Sequence, residues 1–595
     1  MMAVYEPGVE HLPVFQQVTA RTRAMVEGHM ARIILVLTAA AVIYLSVPPI
    51  AVLLFSTVRS TQNTLPFEAT SFTFANFVRV FSSSVTYEYL LNTIWYVAGT
   101  VGIALTIAVA FSWFVERTNM SLRRLFFVLT LMPMGIPGIV LGMSWILLAN
   151  PSNGMLNVAL RDLFGLDGPG PLQIYSIWGM IAVTAMRFVP LMYLMISGVF
   201  ARVDPSLEEA GSTSGARPWL NFRRISIPLL APAILAALIY FVVLGIEAFE
   251  TAGLLGFPNH IFVFSTAIYW AIYPPKAGAL ADFGTASTYG LLLLAAAAAL
   301  IYAYRRYTRR TERFVTVTGR GYRPRLIDLG KWRYVPAIVM AVYFLIAVVL
   351  PLSVLLWRAF SPAYATVSIS ALGQLNLNAF RRMAQNPVLM TAATNTVIVG
   401  IVTACVTMML VTLVSWLSVR RRGNRTVALT EYLAFLILGI PGIVLALALI
   451  FIYGSFPIGI YGTIWIIILG LVTLTIPFGT RLMTAALMQI HKELEEAAET
   501  SGANPFTTLV RIVLPLLWPS FLRGFLWVFV FSICNATVPL MLQAYGNQTL
   551  TVALWNIWFA VGDFPLACAM ALPLVVLSLA LALSVGRQSL LVGSV

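Results

Sequence analysis

Charge is the first thing this sequence lacks. Only 10% of its 595 residues are Asp, Glu, Lys or Arg, where a soluble domain carries about a quarter. Sixty per cent are hydrophobic, and they gather in uninterrupted runs of about 20 residues, the length needed to cross a bilayer. That excludes a chain folded around a large core in water. Because the runs are continuous rather than short and alternating, it also excludes an outer-membrane barrel, so the spans are expected to be helices. Cysteine and histidine are scarce, at three and four residues. Cys405, Cys534 and Cys568 lie in or near apolar runs at no metal-ligand spacing and read as small apolar side chains. No GxxxxGK[ST] phosphate loop occurs; Gly330-Lys331 lacks both the upstream Gly and the Ser or Thr. ATP hydrolysis by that means is not expected on this chain. No catalytic constellation emerges either, so the chain reads as no enzyme, with no cofactor of its own.

The charge that is present is lopsided, at net +15. In a membrane protein the excess of Lys and Arg marks cytoplasmic loops. Residues 1–32, polar and mixed, form an expected cytoplasmic tail with no cleaved leader. Six spans follow within 33–304, near 33–58, 90–115, 125–149, 174–200, 229–254 and 286–304. Residues 305–333 carry ten Lys or Arg against two acids. This linker is read as a cytoplasmic segment held against anionic lipid headgroups rather than as a nucleic-acid patch. Six more spans lie within 334–587, near 334–357, 391–419, 427–453, 461–487, 516–542 and 567–585. With the tail 588–595, both termini are expected inside.

The two halves repeat. LEEAGSTSGARPWLNFRRISIPLLAP at 207–232 returns as LEEAAETSGANPFTTLVRIVLPLLWP at 494–519, an offset of 287. GIPGIVL at 135–141 returns at 439–445, and Asn92-Thr93 and Ser112-Trp113 return as Asn395-Thr396 and Ser415-Trp416. These marks are 303 or 304 apart, so the first half holds 17 extra residues between its third and fourth spans. They fall in the Gly/Pro-rich outer stretch 150–172. An even number of spans per half makes the repeats parallel. The fold class is an all-α polytopic membrane protein of two tandem six-helix repeats.

Each polar island reads as a helix–turn–helix knob. Asp204-Pro205 suits a helix start, the acids Glu208 and Glu209 favour its first turn, and Gly215 or Gly502 permits a sharp reversal. Pro218 or Pro505 then restarts a short helix, and Pro228 or Pro515 marks entry to the next span. GIPGIVL places helix breakers inside the third and ninth spans, either for packing or as a bend that lets the bundle alternate between openings. Ionisable residues inside spans are functional candidates by default. Glu247 and Glu250 stand three apart in the fifth span, hence on one expected face, with no acid at their counterparts Cys534 and Thr537. Arg187 and Arg481 lie in the fourth and tenth spans. An ion pair of Arg187 with Glu247, and a cation path through the bundle, are both open readings.

Glu496, Ala497, Ala498, Gly502, Ile512, Leu514 and Pro515 resemble the Glu-Ala-Ala signature of the membrane subunits of bacterial ATP-binding-cassette importers. The first copy departs from it at Gly211 and Ile227. The segments FETAGLLGFPNHIFVFSTAIY (249–269) and PFGTRLMTAALMQIHKELEEA (477–497) are most similar to the ferric-iron permease group, whose relatives handle thiamine, phosphonates and polyamines. The resemblance implies a fused permease of the bacterial inner membrane, passing substrate from a periplasmic binding protein. It implies two separate ATPase subunits, carrying ATP and Mg, held at Glu208, Glu209, Ala210 and Gly215 and at Glu495, Glu496, Ala497 and Gly502. Glu247, Glu250 and Arg187 would line the path. The rival class is a twelve-span carrier driven by an ion gradient.

Overall fold

The computed structural model describes residues 14–59, 64–201, 210–211, 213–274, 278–311, 326–362, 373–421, 423–456 and 458–592. Among them no strand forms. Ten helices are long and apolar enough to cross a membrane: Arg32–Thr57, Ser84–Arg117, Ile177–Phe200, Trp219–Glu247, Phe283–Tyr304, Gly330–Phe360, Pro387–Arg420, Ile464–Leu487, Phe506–Cys534 and Phe564–Leu581. Two bent pairs, Arg123–Gly135 with Gly138–Ala149 and Arg425–Gly439 with Gly442–Ser455, bring the number to twelve. These twelve match the expected series of spans. Large apolar side chains stay exposed along them, among them Ile33, Val36 and Leu37 in the first and Val397, Ile401 and Met409 in the eighth. Such long apolar faces call for lipid rather than water.

The described residues gather into two compact units that do not follow the halves of the sequence. One comprises residues 1–49, 401–438 and 471–529; the other comprises 50–400, 439–470 and 530–595. In the larger unit the second and fourth spans pack closely, with Tyr96 and Thr184 hydroxyls 2.9 Å apart. In the smaller unit the Thr407 and Thr475 hydroxyls, on the eighth and tenth spans, lie 2.9 Å apart. Gly524 lies so near Met408 that a Cβ would come within 2.5 Å of its methyl carbon. Small residues let apolar helices approach where lipid removes any hydrophobic drive to associate.

Several expected spans end differently. The third and ninth are broken at GIPG, with bends of 96° and 108°. Pro137 and Pro441 adopt extended backbone (ψ 142° and 140°), and neither has an N–H to continue a helical ladder. The fifth helix stops at Glu247, not near residue 254. Ala248 is extended, and Glu250 opens a separate helix, Glu250–Gly256. Glu247 and Glu250 therefore do not share one helical face. The eleventh helix likewise stops at Cys534, and Thr537–Met541 begins anew. Further short helices, Phe264–Ile272 and Leu550–Asn556, follow these breaks. The 17 extra residues of the first repeat contribute the helix Met155–Phe164. Asn157 ties it down, donating to the carbonyls of Asn150 and Leu172 at 3.0 and 2.9 Å.

No break separates the short helix of either polar island from the span that Pro228 or Pro515 enters. Pro218–Asn221 runs through a π turn, Phe222–Ser226, straight into Ile227–Glu247. Pro505–Thr508 does the same through Leu509–Val513. A third π turn, Leu345–Val349, precedes Pro351. In all three the proline stands two residues beyond the wide turn. A proline ring collides with the carbonyl four residues back in an α-helix; widening that turn relieves the clash and keeps the helix continuous.

Candidate coupling loops and membrane-embedded charge cluster

In the second polar island, helix Glu493–Thr500 ends in a Schellman turn. The Ala503 N–H reaches the Ala498 carbonyl at 2.9 Å, and Gly502 takes φ +83°. The first island closes identically: the Ala216 N–H reaches the Gly211 carbonyl at 3.0 Å, with Gly215 at φ +84°. Glycine alone adopts this conformation without strain, so Gly215 and Gly502 set the reversal. The sequence Gly211 in place of Ala498 also has a reason. A Cβ at Gly211 would come within 2.5 Å of Asn221 Oδ1, whereas the second repeat carries the smaller Thr508 at the matching position.

The two acids of the second island have different places. Glu495 is buried. It accepts from Arg420 Nε at 2.6 Å and from Trp416 Nε1 at 3.3 Å, while Arg420 also donates to the Ile490 carbonyl at 3.0 Å. Glu496 is exposed and, among the described residues, pairs with Lys492, one helical turn away, at 2.7 Å. Ala497 is exposed too. Glu495 thus fastens the helix to the end of the eighth span, leaving Glu496 and Ala497 on the surface. In the first island Ala210 is exposed; Glu208 and Glu209 lie outside the described residues. Sequence reasoning missed Arg420 and Trp416. Trp416 belongs to the repeated Ser-Trp mark, which was the available signal.

The other repeated pair also has a structural task. Asn92 Nδ2 donates to the Phe262 carbonyl at 3.1 Å, and Thr93 Oγ1 accepts the Phe264 N–H at 3.0 Å. Asn395 donates to the Gly546 and Gln548 carbonyls at 3.0 Å each, and Thr396 accepts the Leu550 N–H at 2.7 Å. Each pair therefore holds the start of a short helix that follows a broken span.

The larger unit contains the membrane-embedded charges. Arg187 Nη1 lies 3.1 Å from Glu250 Oε2, and Glu250 Oε1 accepts the Ala536 N–H at 2.9 Å. Arg187 is thus paired with Glu250, not with Glu247. Glu247 is half-buried and accepts the Gly442 N–H at 3.3 Å; among the described residues it makes no ion pair. Gly442 is the first residue of the helix after the ninth-span break, and Gly138 is its counterpart. A Cβ at Gly138 would collide with both Arg187 and Glu250. Both GIPG breaks therefore meet an acid of the first repeat, one through a backbone N–H and one by close approach. Arg481, in the smaller unit, sits over the Phe435 ring, 4.6 Å from its centroid. Among the described residues no three of His, Cys, Asp or Glu lie close enough to hold a metal ion.

Beside this geometry, the family described as binding-protein-dependent transport system inner membrane component matches residues 102–313 and again 397–589. The chain belongs to that family. It is a fused two-unit permease. It is similar to the ferric transport system permease protein FbpB of Actinobacillus pleuropneumoniae, at 26% identity over 512 residues, covering 85% of this chain and 72% of the relative. The Fe(3+)-transport system permease protein FbpB 2 of Haemophilus influenzae is 23% identical over 470 residues, covering 79% and 84%. The spermidine/putrescine transport system permease protein PotC of the same organism is 27% identical over 206 residues, covering 34% of this chain and 78% of its own.

Membership makes this permease a multi-pass protein of the inner membrane and decides against the ion-gradient carrier. The duplicated match also accounts for the repeat. The two matched regions begin inside the second and eighth helices and take in the whole described sixth helix and most of the twelfth, so each spans the GIPG break, the polar island and the broken fifth or eleventh span.

Proposed function

We infer that this permease carries ferric iron from a periplasmic binding protein to the cytoplasm, driven by two separate ATPase subunits. The observation that carries the substrate is breadth of similarity. The ferric permeases match along 79–85% of the chain, whereas the polyamine permease covers a third of it. ATP and Mg belong to the partner subunits. Each ATPase is held at one polar island, at Glu208, Glu209, Ala210 and Gly215 or at Glu496, Ala497 and Gly502. Glu495 positions the second island from beneath. The surface exposure of Glu496 and Ala497 supports a docking role, since a partner needs accessible groups.

Along the path the charges have unequal roles. Glu250 is neutralised by Arg187 and anchored to the second repeat, so it ties the repeats together. Glu247, half-buried with one weak N–H donor, is the group able to give a passing cation a foothold. Selectivity rests mainly with the binding protein.

The test is uptake of radioactive ferric iron by cells lacking their own ferric importers and expressing this permease with its ATPase and binding protein. Iron should accumulate, and excess thiamine or spermidine should not compete. Uptake of thiamine or spermidine without iron would overturn the substrate. In the same cells Glu247→Gln should lower the uptake rate with normal protein level. Glu250→Gln should lower the amount of folded protein in the membrane. Full uptake by Glu247→Gln would remove the foothold.

A further inference from the structure

We propose that the junction of the second, third and seventh spans binds the phosphate headgroup of an anionic phospholipid, between the helix start at Leu122–Leu125 and the linker strap at Lys331–Arg333.

The strap is a built feature. The Ile327 N–H donates to the Arg117 carbonyl at 2.8 Å, and the Asn119 N–H returns to the Ile327 carbonyl at 3.1 Å. Asn119 Nδ2 donates to Asp328 Oδ1 at 2.6 Å, and its Oδ1 accepts the Leu329 N–H at 3.0 Å. The Ser121 N–H reaches the Arg333 carbonyl at 3.3 Å. The end of the linker is thereby pinned against the turn joining the second and third spans. The second repeat has no such strap among its described residues, since its turn at 420–425 has no linker to receive.

The junction collects cations and apolar groups together. Arg123 is offset by Glu116 at 4.0 Å. Asp328 is engaged inward: the Gly330 N–H and the Asn119 amide hold its carboxyl below the usual range. Among the described residues Arg124 and Lys331 make no ion pair; Arg333, which also acts on Asp328, lies over the Tyr334 ring, 4.8 Å from its centroid. A cavity of about 590 Å³ opens at Leu122, Arg123, Arg124 and Leu125. Around it Leu122, Leu125, Trp332 and Tyr334 are all exposed, Trp332 at 72%.

Leu122 decides the nature of the occupant. It takes φ +58°, a left-handed conformation that costs a non-glycine residue energy, yet its side chain is 66% exposed. An apolar side chain held outward in that way gains nothing from water. It gains from an acyl chain. Aromatic rings beside arginine and lysine at the ends of spans are the arrangement that suits the headgroup region, and each basic side chain near an anionic surface adds attraction. A phosphate between Arg124 and the strap, with its acyl chains along Leu122 and Trp332, satisfies both halves of the site.

The experiment is native mass spectrometry of the full chain in detergent, titrated with dioleoyl phosphatidylglycerol or dioleoyl phosphatidylcholine. Phosphatidylglycerol should bind at least about tenfold tighter. The variant R124Q/K331Q/R333Q should lose about a hundredfold or more of that affinity, from three charges at this surface. R421Q/R425Q, on the matching turn of the second repeat, should change it little. A monodisperse gel-filtration profile checks that the triple variant is folded; if it is not, R124Q alone should still lose about fivefold. Equal binding of the two lipids, an equal loss in R421Q/R425Q, or no loss in folded R124Q would each overturn the site. Displacement of the lipid by millimolar inorganic phosphate would instead indicate a free-phosphate site and overturn the lipid assignment.

Discussion

Glu495 and Glu496 are neighbours in sequence, and the structure separates their consequences sharply. The Glu495 side chain is 8% exposed and that of Arg420 11%, so truncating Glu495 leaves a buried guanidinium without its carboxylate. Removing one partner of such a pair costs about 3–5 kcal/mol. Glu495→Gln keeps the shape and one acceptor, so about 1.5–3 kcal/mol is expected from loss of the charge-assisted bonds. Glu496→Ala removes only an exposed pair one turn apart, worth about 0.3–0.5 kcal/mol. The penalty falls on docking of helix Glu493–Thr500, because Arg420 and Trp416 belong to the preceding span. Amide hydrogen exchange across 493–503 in the purified chain reads it directly. Exchange should quicken by about two to four orders of magnitude in Glu495→Ala and by less than about threefold in Glu496→Ala. Uptake should follow the same order if the island transmits the stroke of a motor, with Arg420→Gln matching Glu495→Gln and the double variant adding little. Equal exchange in the two alanine variants, or a larger effect at Glu496, would refute the assignment of Glu495 as the anchor.

Gly211→Ala should weaken the first island by about 1–3 kcal/mol, because its Cβ strikes Asn221. Adding Asn221→Thr, which copies the pairing of Ala498 with Thr508, should restore most of the lost thermal stability. Gly502→Val forces a β-branched residue to φ +83°, at about 1–3 kcal/mol; uptake should fall at unchanged membrane insertion, and wild-type uptake with the ATPase still bound would remove the turn from coupling. For orientation, Thr213→Cys and Thr500→Cys should resist an impermeant thiol reagent added to intact spheroplasts, while Ala159→Cys should react. The opposite pattern would invert the expected topology.

The spans, the repeat and the glycine reversals were legible because each leaves a local mark. Apolar runs of bilayer length, a fixed offset and a glycine between two short helices are properties of consecutive residues. The ends of the fifth and eleventh helices were not legible, since apolar residues continue through them. What stops those helices is distant. At Ala248 the carbonyl is taken by Ser265, 2.9 Å away, and at Ala536 the N–H is taken by Glu250. Periodicity along the chain therefore placed Glu247 and Glu250 on one face of a helix that does not continue. Which acid Arg187 would meet was equally beyond a local pattern; it is Glu250 rather than Glu247. The Asn-Thr and Ser-Trp marks were visible as repeats, but several of their partners lie 65–171 positions away, beyond any local pattern.

The unduplicated acids follow from the geometry of the repeat itself. Thr537 is the counterpart of Glu250, and Glu250 reaches the backbone of Ala536, the residue just before it. The two equivalent positions therefore lie close together, where the halves of the repeat face each other. An acid at both would bring two carboxylates into one membrane-embedded place with a single arginine, Arg187, to neutralise them; its counterpart at position 474 is Leu. Like charges in such a place cannot both ionise without a large cost. One copy can carry the acid and the other must give it up. Thr537 and Cys534 are then the requirement that one buried carboxylate near a twofold relation places on its twin, and the asymmetry needs no separate origin in the substrate. Installing the second acid is the decisive case. Thr537→Glu should abolish stable expression in the wild-type background. Glu250→Thr together with Thr537→Glu keeps a single acid but leaves Arg187 without its partner; adding Arg187→Leu and Leu474→Arg moves the whole pair to the other copy, so the quadruple exchange should recover folded protein and the double should not. Equal expression of the double and quadruple exchanges would show that the arginine, and with it the charge argument, does not govern the asymmetry.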